Sequence, residues 1–169
     1  MRQAQHRLRT PQRAAGNYAR AIGENWENAL EELHGYLANQ GRAVMHKTGP
    51  QVTMRKGRTG LVEPMITGPG PADYVGCLAD GRFVGFEAKT TGDAQGFTLP
   101  EKSLHQREWL RSLSDMSQQK ALAFYLVFWR AHNEARLHWI ESIEDRRIRY
   151  EDGQPIEGFD WCDFVEKVR

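Results

Sequence analysis

Residues 121–129, ALAFYLVFW, form the longest apolar run of the chain and leave few choices for its fold. The run has the length and the β-branched and aromatic content of a strand, and no polar residues alternate within it. It therefore predicts the central strand of a sheet that is covered on both faces. Because a helix that spans a bilayer needs roughly 20 apolar residues, we expect no membrane insertion.

Weaker patterns on either side of this run predict the other strands of the sheet and the helices that cover it. Helical spacing of apolar residues is found in residues 23–40, 103–116 and 160–168. The composition of strands is found in residues 42–46, 72–78, 82–90 and 136–140. The order αβββαββα predicts an α/β fold with a mixed central sheet flanked by helices.

The size and composition are those of one globular domain in water. The chain has 169 residues, of which 40% are hydrophobic and 27% charged, and this is enough for a buried core. The first residues contain no apolar segment typical of a signal peptide. Cys77 and Cys162 are too few for a disulfide framework or a cysteine zinc cluster. We therefore expect a protein of the reducing cytoplasm.

Positive charge is concentrated in two parts of a chain whose formal net charge is only +1. Residues 1–20 contain five arginines and no acid and are interpreted as a mobile arm or a marginal helix. The predicted division is a basic N-terminal arm over residues 1–22 and a single domain over residues 23–169. Residues 47–62 are interpreted as a basic loop or a projecting hairpin. Such patches suit a polyanion such as nucleic acid, although a solvated tail and a charged loop explain them equally well.

The two strands before the second helix are predicted to form a hairpin. The connection ADG at residues 79–81 suits a three-residue loop, a type I turn followed by glycine in the left-handed conformation. This turn sets Asp73 opposite Glu87 and leaves Lys89 on the same face. A two-residue turn would shift the register by one and separate the carboxylates. The opposite face is predicted to be core, formed by Tyr74, Leu78, Val84, Phe86 and Ala88.

Two carboxylates and an ammonium at one end of a sheet have a chemical meaning. Mg²⁺ binds to proteins through one or two carboxylates, together with waters and phosphate oxygens of the substrate. Asp73, Glu87 and Lys89 therefore suit phosphoryl chemistry, with Gly85 beside them leaving room. A solvated patch of ion pairs is the alternative, and spacing alone favours it.

The segments PAD at residues 71–73 and FEAK at residues 86–89 resemble the signature of the PD-(D/E)XK nucleases. The wider pattern resembles the RecU-type Holliday-junction resolvases of bacteria and bacteriophages. The further matches, in the same order and at similar spacing, are GENWE at 23–27, AVMHK at 43–47 with Pro50 and Gln51 after it, DYVG at 73–76, and the stretch from Phe97 to His105 and Gln106. The resemblance covers about residues 23–145, and it implies a fold of the restriction-endonuclease type.

The resemblance also implies a metal-dependent, structure-selective DNA endonuclease that resolves Holliday junctions by paired symmetric nicks. Asp73 and Glu87 would bind Mg²⁺, for which Mn²⁺ can substitute, with the carbonyl of Ala88 as a further ligand. Glu27 would reach the same site from the first helix, and a solvated glutamate is the alternative. Lys89 would help to deprotonate the attacking water or stabilise the transition-state phosphate. The second role is favoured because a general base must be neutral.

In that family a stalk between the first two strands enters the centre of the junction, and residues 47–60 take its place here. The segment is shorter than the usual stalk. The cations expected to contact DNA phosphates, unless this is an ordinary solvated loop, are Lys47, Arg55, Lys56 and Arg58. His105 and Gln106 begin the second helix and are candidates for contact with DNA or the site, and a role in helix capping or packing is the equal alternative.

The predicted partners follow from the reaction. Two nicks in strands of like polarity need two equal sites, which a two-fold symmetric homodimer presents to a four-way junction. No small-molecule cofactor is expected. The sequence leaves two other functions open, another PD-(D/E)XK nuclease of restriction or repair type and a non-catalytic DNA-binding module.

Overall fold

The structure, a computed structural model, describes residues 11–56, 61–68, 70–118, 120–157 and 160–168. The helices of these residues are α1 (Pro11–Asn39), α2 (Leu104–Met116) and α3 (Trp161–Val168). The strands are β1 (Ala43–Lys47), β2 (Gln51–Lys56), β3 (Val62–Gly68), β4 (Tyr74–Leu78), β5 (Phe83–Thr91), β6 (Gly96–Thr98), β7 (Leu122–Trp129), β8 (Glu134–Trp139), β9 (Arg147–Arg149) and β10 (Gln154–Ile156). None of the described helices is long and apolar enough to cross a membrane.

A six-stranded mixed sheet forms the centre of the fold, in the order β1-β4-β5-β7-β8-β10. β5 and β7 run parallel, and the other neighbouring pairs of this sheet are antiparallel. The apolar run becomes β7, in which every residue except Phe128 is buried. The predicted α/β class, the mixed sheet and the central strand covered on both faces are therefore confirmed.

One face of the sheet packs against α1 and α3. Tyr74, Phe86 and Phe124 from adjacent strands form an aromatic stack, with 5.0 Å between ring centroids at each step. Trp161 of α3 lies 5.4 Å from the Phe86 ring. Burying a side chain of this size contributes roughly 1.5–3 kcal/mol, so this face supplies much of the stability. All residues predicted for the core face of the hairpin belong to this buried cluster.

The opposite face packs against α2, and Gly85 lies beneath that helix. A Cβ atom at Gly85 would lie 2.8 Å from the Trp109 ring and 2.9 Å from Leu113. The prediction that Gly85 leaves room for the site is therefore wrong, because side chains of α2 fill that space. The glycine instead allows α2 to pack closely on β5.

The turn between β4 and β5 has the predicted three-residue geometry. Gly81 has a φ of 87°, in the left-handed region. The N–H of Leu78 donates a hydrogen bond of 2.9 Å to the carbonyl of Arg82. Val75 pairs with Gly85, as the turn requires. The predicted register is confirmed, and it fixes the face on which each carboxylate lies.

Helix α1 is longer than its sequence pattern indicated. It begins at Pro11 rather than at residue 23, so the predicted start is wrong. Apolar residues at helical spacing identify a helix segment that packs against a core. Alanine, arginine and glutamine favour a helix without such spacing. Proline suits the first helical position, where its missing N–H has no intrahelical partner. The division between arm and domain after residue 22 stays a prediction, and residues 1–10 lie outside the described part.

β2 and β3 form a separate two-stranded antiparallel ribbon. The sequence left a loop or a hairpin open for this region, and the structure has a hairpin whose second strand continues to Gly68. All residues of β2 are exposed, so the ribbon stands apart from the core. Arg58 belongs to residues 57–60, which lie outside the described residues.

The short strands β6, β9 and β10 were not predicted. β6 pairs with β9 in a second small sheet, and β10 extends the central sheet beside β8. Each has three residues, which is too few to show the alternation that identifies a strand in a sequence.

Candidate active site

Asp73, Glu87 and Lys89 meet where β4 begins and β5 continues past it. The Lys89 ammonium forms an ion pair with Glu87, and its Nζ atom lies 3.9 Å from Oδ2 of Asp73. The three side chains share one face, as the turn predicts. The Glu87 side chain is fully buried, while those of Asp73 and Lys89 are 32% and 26% exposed. The group is therefore accessible to solvent on one side.

Two backbone hydrogen bonds hold the carboxylates in place. The N–H of Asp73 donates to Oε2 of Glu87 at 3.0 Å, and the N–H of Ala88 donates to Oδ2 of Asp73 at 3.0 Å. Side-chain oxygens thus accept hydrogen bonds just beyond the point where the β4–β5 ladder ends. The carboxylates are thereby oriented before any ligand binds.

The charges of this group do not balance. Burial raises the pKa of Glu87 to about 8, the charge of Lys89 opposes the shift, and the carboxylate of Asp73 adds to it. One ammonium faces two carboxylates, so a further positive charge here would favour the ionised form of Glu87. The site is electrostatically suited to a cation.

The ligands that these residues offer are oxygens. The carbonyl of Ala88 points to the same side of β5 as its N–H, and therefore toward Asp73. Within the described ranges, no three acidic, histidine or cysteine side chains lie close enough together to hold an ion. A hard cation that keeps several waters, as Mg²⁺ does, fits Asp73 and Glu87, whereas zinc needs three or four protein ligands.

Glu27 forms its ion pair outside this group. It belongs to α1, which packs on the opposite face of the sheet, and its Oε2 atom is 3.1 Å from Nζ of Lys47. In this structure the helix glutamate is paired with a lysine of β1 rather than with Asp73 and Glu87. Its predicted role as a metal ligand stays a prediction.

The cations predicted to contact DNA differ in their surroundings. Hydrogen bonds to Glu31 and then to Glu27 raise the pKa of Lys47, whose charge is therefore already balanced by two carboxylates. Arg55 and Lys56 are exposed on β2. The ribbon therefore offers the cations that are the more accessible to a phosphate backbone.

His105 and Gln106 are half-buried in the first turn of α2. The N-cap of α2 is Ser103, so neither residue caps the helix. Nε2 of His105 is buried, and no described residue gives it a hydrogen bond. Contact of either residue with DNA stays a prediction.

Tyr125 is a neighbour of the carboxylates that the sequence analysis missed. In the parallel pairing of β5 and β7 it stands beside Glu87, and both side chains are fully buried. Parallel strands are joined by a crossover, here through α2, and composition alone does not give their register. The apolar run identified the strand, and only its pairing brings Tyr125 next to Glu87.

The fold and the site together define a class of protein. A mixed sheet in which an aspartate lies beside the Glu-x-Lys of the next strand is the arrangement of the PD-(D/E)XK superfamily. Among solved structures, the fold is similar to that of Hjc, a Holliday junction resolvase from Archaeoglobus fulgidus, with a TM-score of 0.50 and 14% identity. The likeness covers 78% of this chain and 94% of that one.

Sequence comparison gives the family within this class. The profile of the family described as "RecU: Recombination protein U" matches residues 21–154, and the chain belongs to this family. A Holliday junction resolvase RecU from Streptococcus oralis is 24% identical over 136 residues, which are 77% of this chain and 66% of the relative. Its counterpart from Staphylococcus saprophyticus is 27% identical over 121 residues, which are 68% and 56%. The chain therefore spans less than two thirds of the length of these relatives.

Proposed function

We propose that this protein is a divalent-metal-dependent endonuclease that cuts four-way DNA junctions in the bacterial cytoplasm. The observation that carries the proposal is the group formed by Asp73, Glu87 and Lys89, in which backbone hydrogen bonds orient two carboxylates at a partly exposed point of the sheet. The substrate class is that of the relatives, which are named Holliday junction resolvases.

Asp73 and Glu87, with the carbonyl of Ala88, would hold the metal ion, for which we propose Mg²⁺ with Mn²⁺ as a substitute. The bound ion supplies polarisation of the scissile phosphate and a lowered pKa of the attacking water. The backbone hydrogen bonds orient the two carboxylates, and this orientation would determine where the phosphate and the attacking water bind. Glu27 would join them only after leaving Lys47.

Lys89 would act on the phosphate. A general base must be neutral, whereas this ammonium is held beside two carboxylates. Stabilisation of the charge that develops on the transition-state phosphate is the role that suits such a setting. To reach the phosphate, the ammonium has to leave Glu87.

The ribbon and a second subunit would provide the preference for branched DNA. Arg55 and Lys56 are exposed on β2, where they can contact a phosphate backbone, and Arg58 follows them in the sequence. Symmetric nicks in two strands need two equal sites, and we therefore propose a two-fold homodimer on the junction.

Cleavage of a synthetic four-way junction tests this function. With Mg²⁺ or Mn²⁺, the protein should nick two strands of the junction symmetrically and should cut a linear duplex of the same arm sequence much more slowly. Glu87→Gln and Asp73→Asn should each lower the rate more than about 100-fold, because changes to mere neighbours of metal ligands already cost 10–100-fold. Asp80→Asn, in the turn at the other end of the β4–β5 hairpin, is the matched control and should cleave like the wild type.

The outcomes separate the alternatives. Equal cleavage of junction and linear duplex would indicate another nuclease of the same superfamily. Absence of metal-dependent cleavage in the wild type, or cleavage that Glu87→Gln leaves unchanged, would contradict the nuclease function at this site.

A further inference from the structure

Tyr125 is buried, with an unsatisfied hydroxyl, on the same face of the sheet as the carboxylates. It is 0% exposed, and its register partner on β5 is Glu87. No described residue gives its hydroxyl a hydrogen bond. The hydroxyl of Tyr150, by contrast, donates to Oε2 of Glu134 at 2.7 Å. A hydroxyl buried without a partner is unfavourable, so a partner in another state of the site is expected.

The charged groups around Tyr125 are those of the candidate active site. Burial raises the pKa of its hydroxyl, the carboxylate of Glu87 adds to the shift, Arg107 opposes it, and Asp73 adds again. Arg107 is a donor only. Among these charged neighbours the acceptors are therefore the two carboxylates, and Glu87 is the one in direct register with Tyr125.

His138, the neighbour of Tyr125 on β8, directs one of its ring nitrogens to the far side of its strand. A Cβ atom at Gly153 would lie 2.5 Å from Nε2 of His138, so this nitrogen faces Gly153. Gly153 directly precedes β10, which lies on the side of β8 away from β7. Nε2 of His138 is thus directed away from Tyr125.

We propose that Tyr125 is a positioning residue, which donates its hydrogen bond to the Glu87 carboxylate once a bound metal ion has displaced Lys89 from it. This inference rests on the proposed function, in which Glu87 is a metal ligand. In the structure Lys89 donates to Oε1 of Glu87, and the N–H of Asp73 donates to Oε2. Departure of Lys89 leaves Oε1 without a donor, and the phenol in register then takes that place.

The substitution Tyr125→Phe removes only this hydroxyl. A carboxylate ligand that loses its supporting hydrogen bond binds metal more weakly, so affinity for Mn²⁺ should fall about 10–100-fold. In the metal-free protein the same change removes an unsatisfied buried group, so the melting temperature should stay the same or rise. A tyrosine with a purely structural role would give a lower melting temperature and unchanged affinity.

Titration of the whole chain with Mn²⁺ in the absence of DNA measures this effect, since bound Mn²⁺ is lost from the electron paramagnetic resonance signal of the free ion. Tyr150→Phe is the matched control, because it removes a hydroxyl that is paired with Glu134. It should leave the Mn²⁺ affinity unchanged and lower the melting temperature. Glu87→Gln should abolish binding at this site.

The same titration shows whether a negative result concerns Tyr125 alone or the whole metal site. Wild-type affinity in Tyr125→Phe, together with lost binding in Glu87→Gln, would overturn the role of Tyr125 and leave the proposed function standing. A wild type that binds no Mn²⁺, or undiminished binding in Glu87→Gln, would overturn the metal site and the role of Tyr125 together.

Discussion

The two faces of β5 meet different needs, although their residues alternate along one strand. Phe86 lies in the aromatic stack, and the buried imidazole of that face, His34, accepts a hydrogen bond of 3.2 Å from the indole of Trp161. Glu87, the next residue, is buried on the other face beside Tyr125, whose hydroxyl has no partner among the described residues. Tight packing and paired polar groups stabilise one face, whereas the unbalanced charges and the unpaired hydroxyl of the other face suit the proposed chemistry.

This contrast implies that stability and metal binding can be changed separately. Substitutions on the α1 face should alter the free energy of unfolding and leave the affinity of the folded protein for metal intact. Glu87→Gln and Tyr125→Phe should do the reverse, because the first removes only a charge and the second only an unpaired hydroxyl, while both keep the buried bulk of the side chain.

The largest change in stability is expected from Phe86→Ala, which breaks the aromatic stack. Loss of a buried phenyl ring should lower the free energy of unfolding by about 3–5 kcal/mol. Urea denaturation measures this, with Phe86→Leu as a control that should lose less. Mn²⁺ affinity, measured where the variant is still folded, should match the wild type. A stability loss below about 1 kcal/mol would contradict the role given to the stack.

A smaller change is expected from acid, which acts on the buried histidine of the same face. Burial lowers the pKa of His34 to about 4, and Glu31 opposes the shift. Because histidine in the unfolded chain titrates near 6.5, the stability due to neutral His34 is present above that pH and is lost as the pH falls toward 4. The full loss is about 3 kcal/mol.

Urea denaturation between pH 7 and pH 5 checks this sign. His34→Gln, which can still accept the indole hydrogen bond, should flatten the fall in stability. The remaining slope should combine a fall from His138 on the opposite face, whose pKa burial also lowers to about 4, with an opposing rise from Glu87, whose raised pKa favours the folded protein as the pH falls. An unchanged slope in His34→Gln would show that His34 is not held neutral in the folded protein.

The smallest change is expected from adding one methyl group at Gly85. The new Cβ atom would meet Trp109 at 2.8 Å, and relief of this contact should cost about 1–3 kcal/mol. Gly35→Ala in α1 is the matched control, because a Cβ atom there meets nothing within 4 Å. It should raise stability by about 0.5–1 kcal/mol. Equal effects of the two substitutions would contradict the close packing of α2 on β5.

The sequence predicted those parts of the fold that local chemistry determines. The apolar run at residues 121–129 identified the central strand because its burial on both faces leaves no polar positions. The turn at residues 79–81 determined the register of β4 and β5, because a three-residue loop that ends in a left-handed Gly81 allows one pairing of the two strands. This pairing brings Asp73 and Glu87 together.

What the sequence did not predict depends on distant partners. The packing of Trp109 on Gly85 requires knowledge of where α2 crosses the sheet. Likewise, the place of Tyr125 beside Glu87 follows from the parallel register of two strands separated by a helix. Neither relation leaves a periodic trace in the chain, so composition and spacing could not reveal it.

Our central claim is that Asp73 and Glu87 jointly bind a divalent cation at a DNA phosphate. Diffraction from crystals of the protein with a four-way junction and Mn²⁺, recorded at the manganese absorption edge, locates the ion directly. We predict an anomalous peak at about 2.1 Å from an oxygen of each carboxylate and beside a backbone phosphate. The claim would be contradicted if crystals in saturating Mn²⁺ showed no peak between these carboxylates and both carboxylates still contacted Lys89.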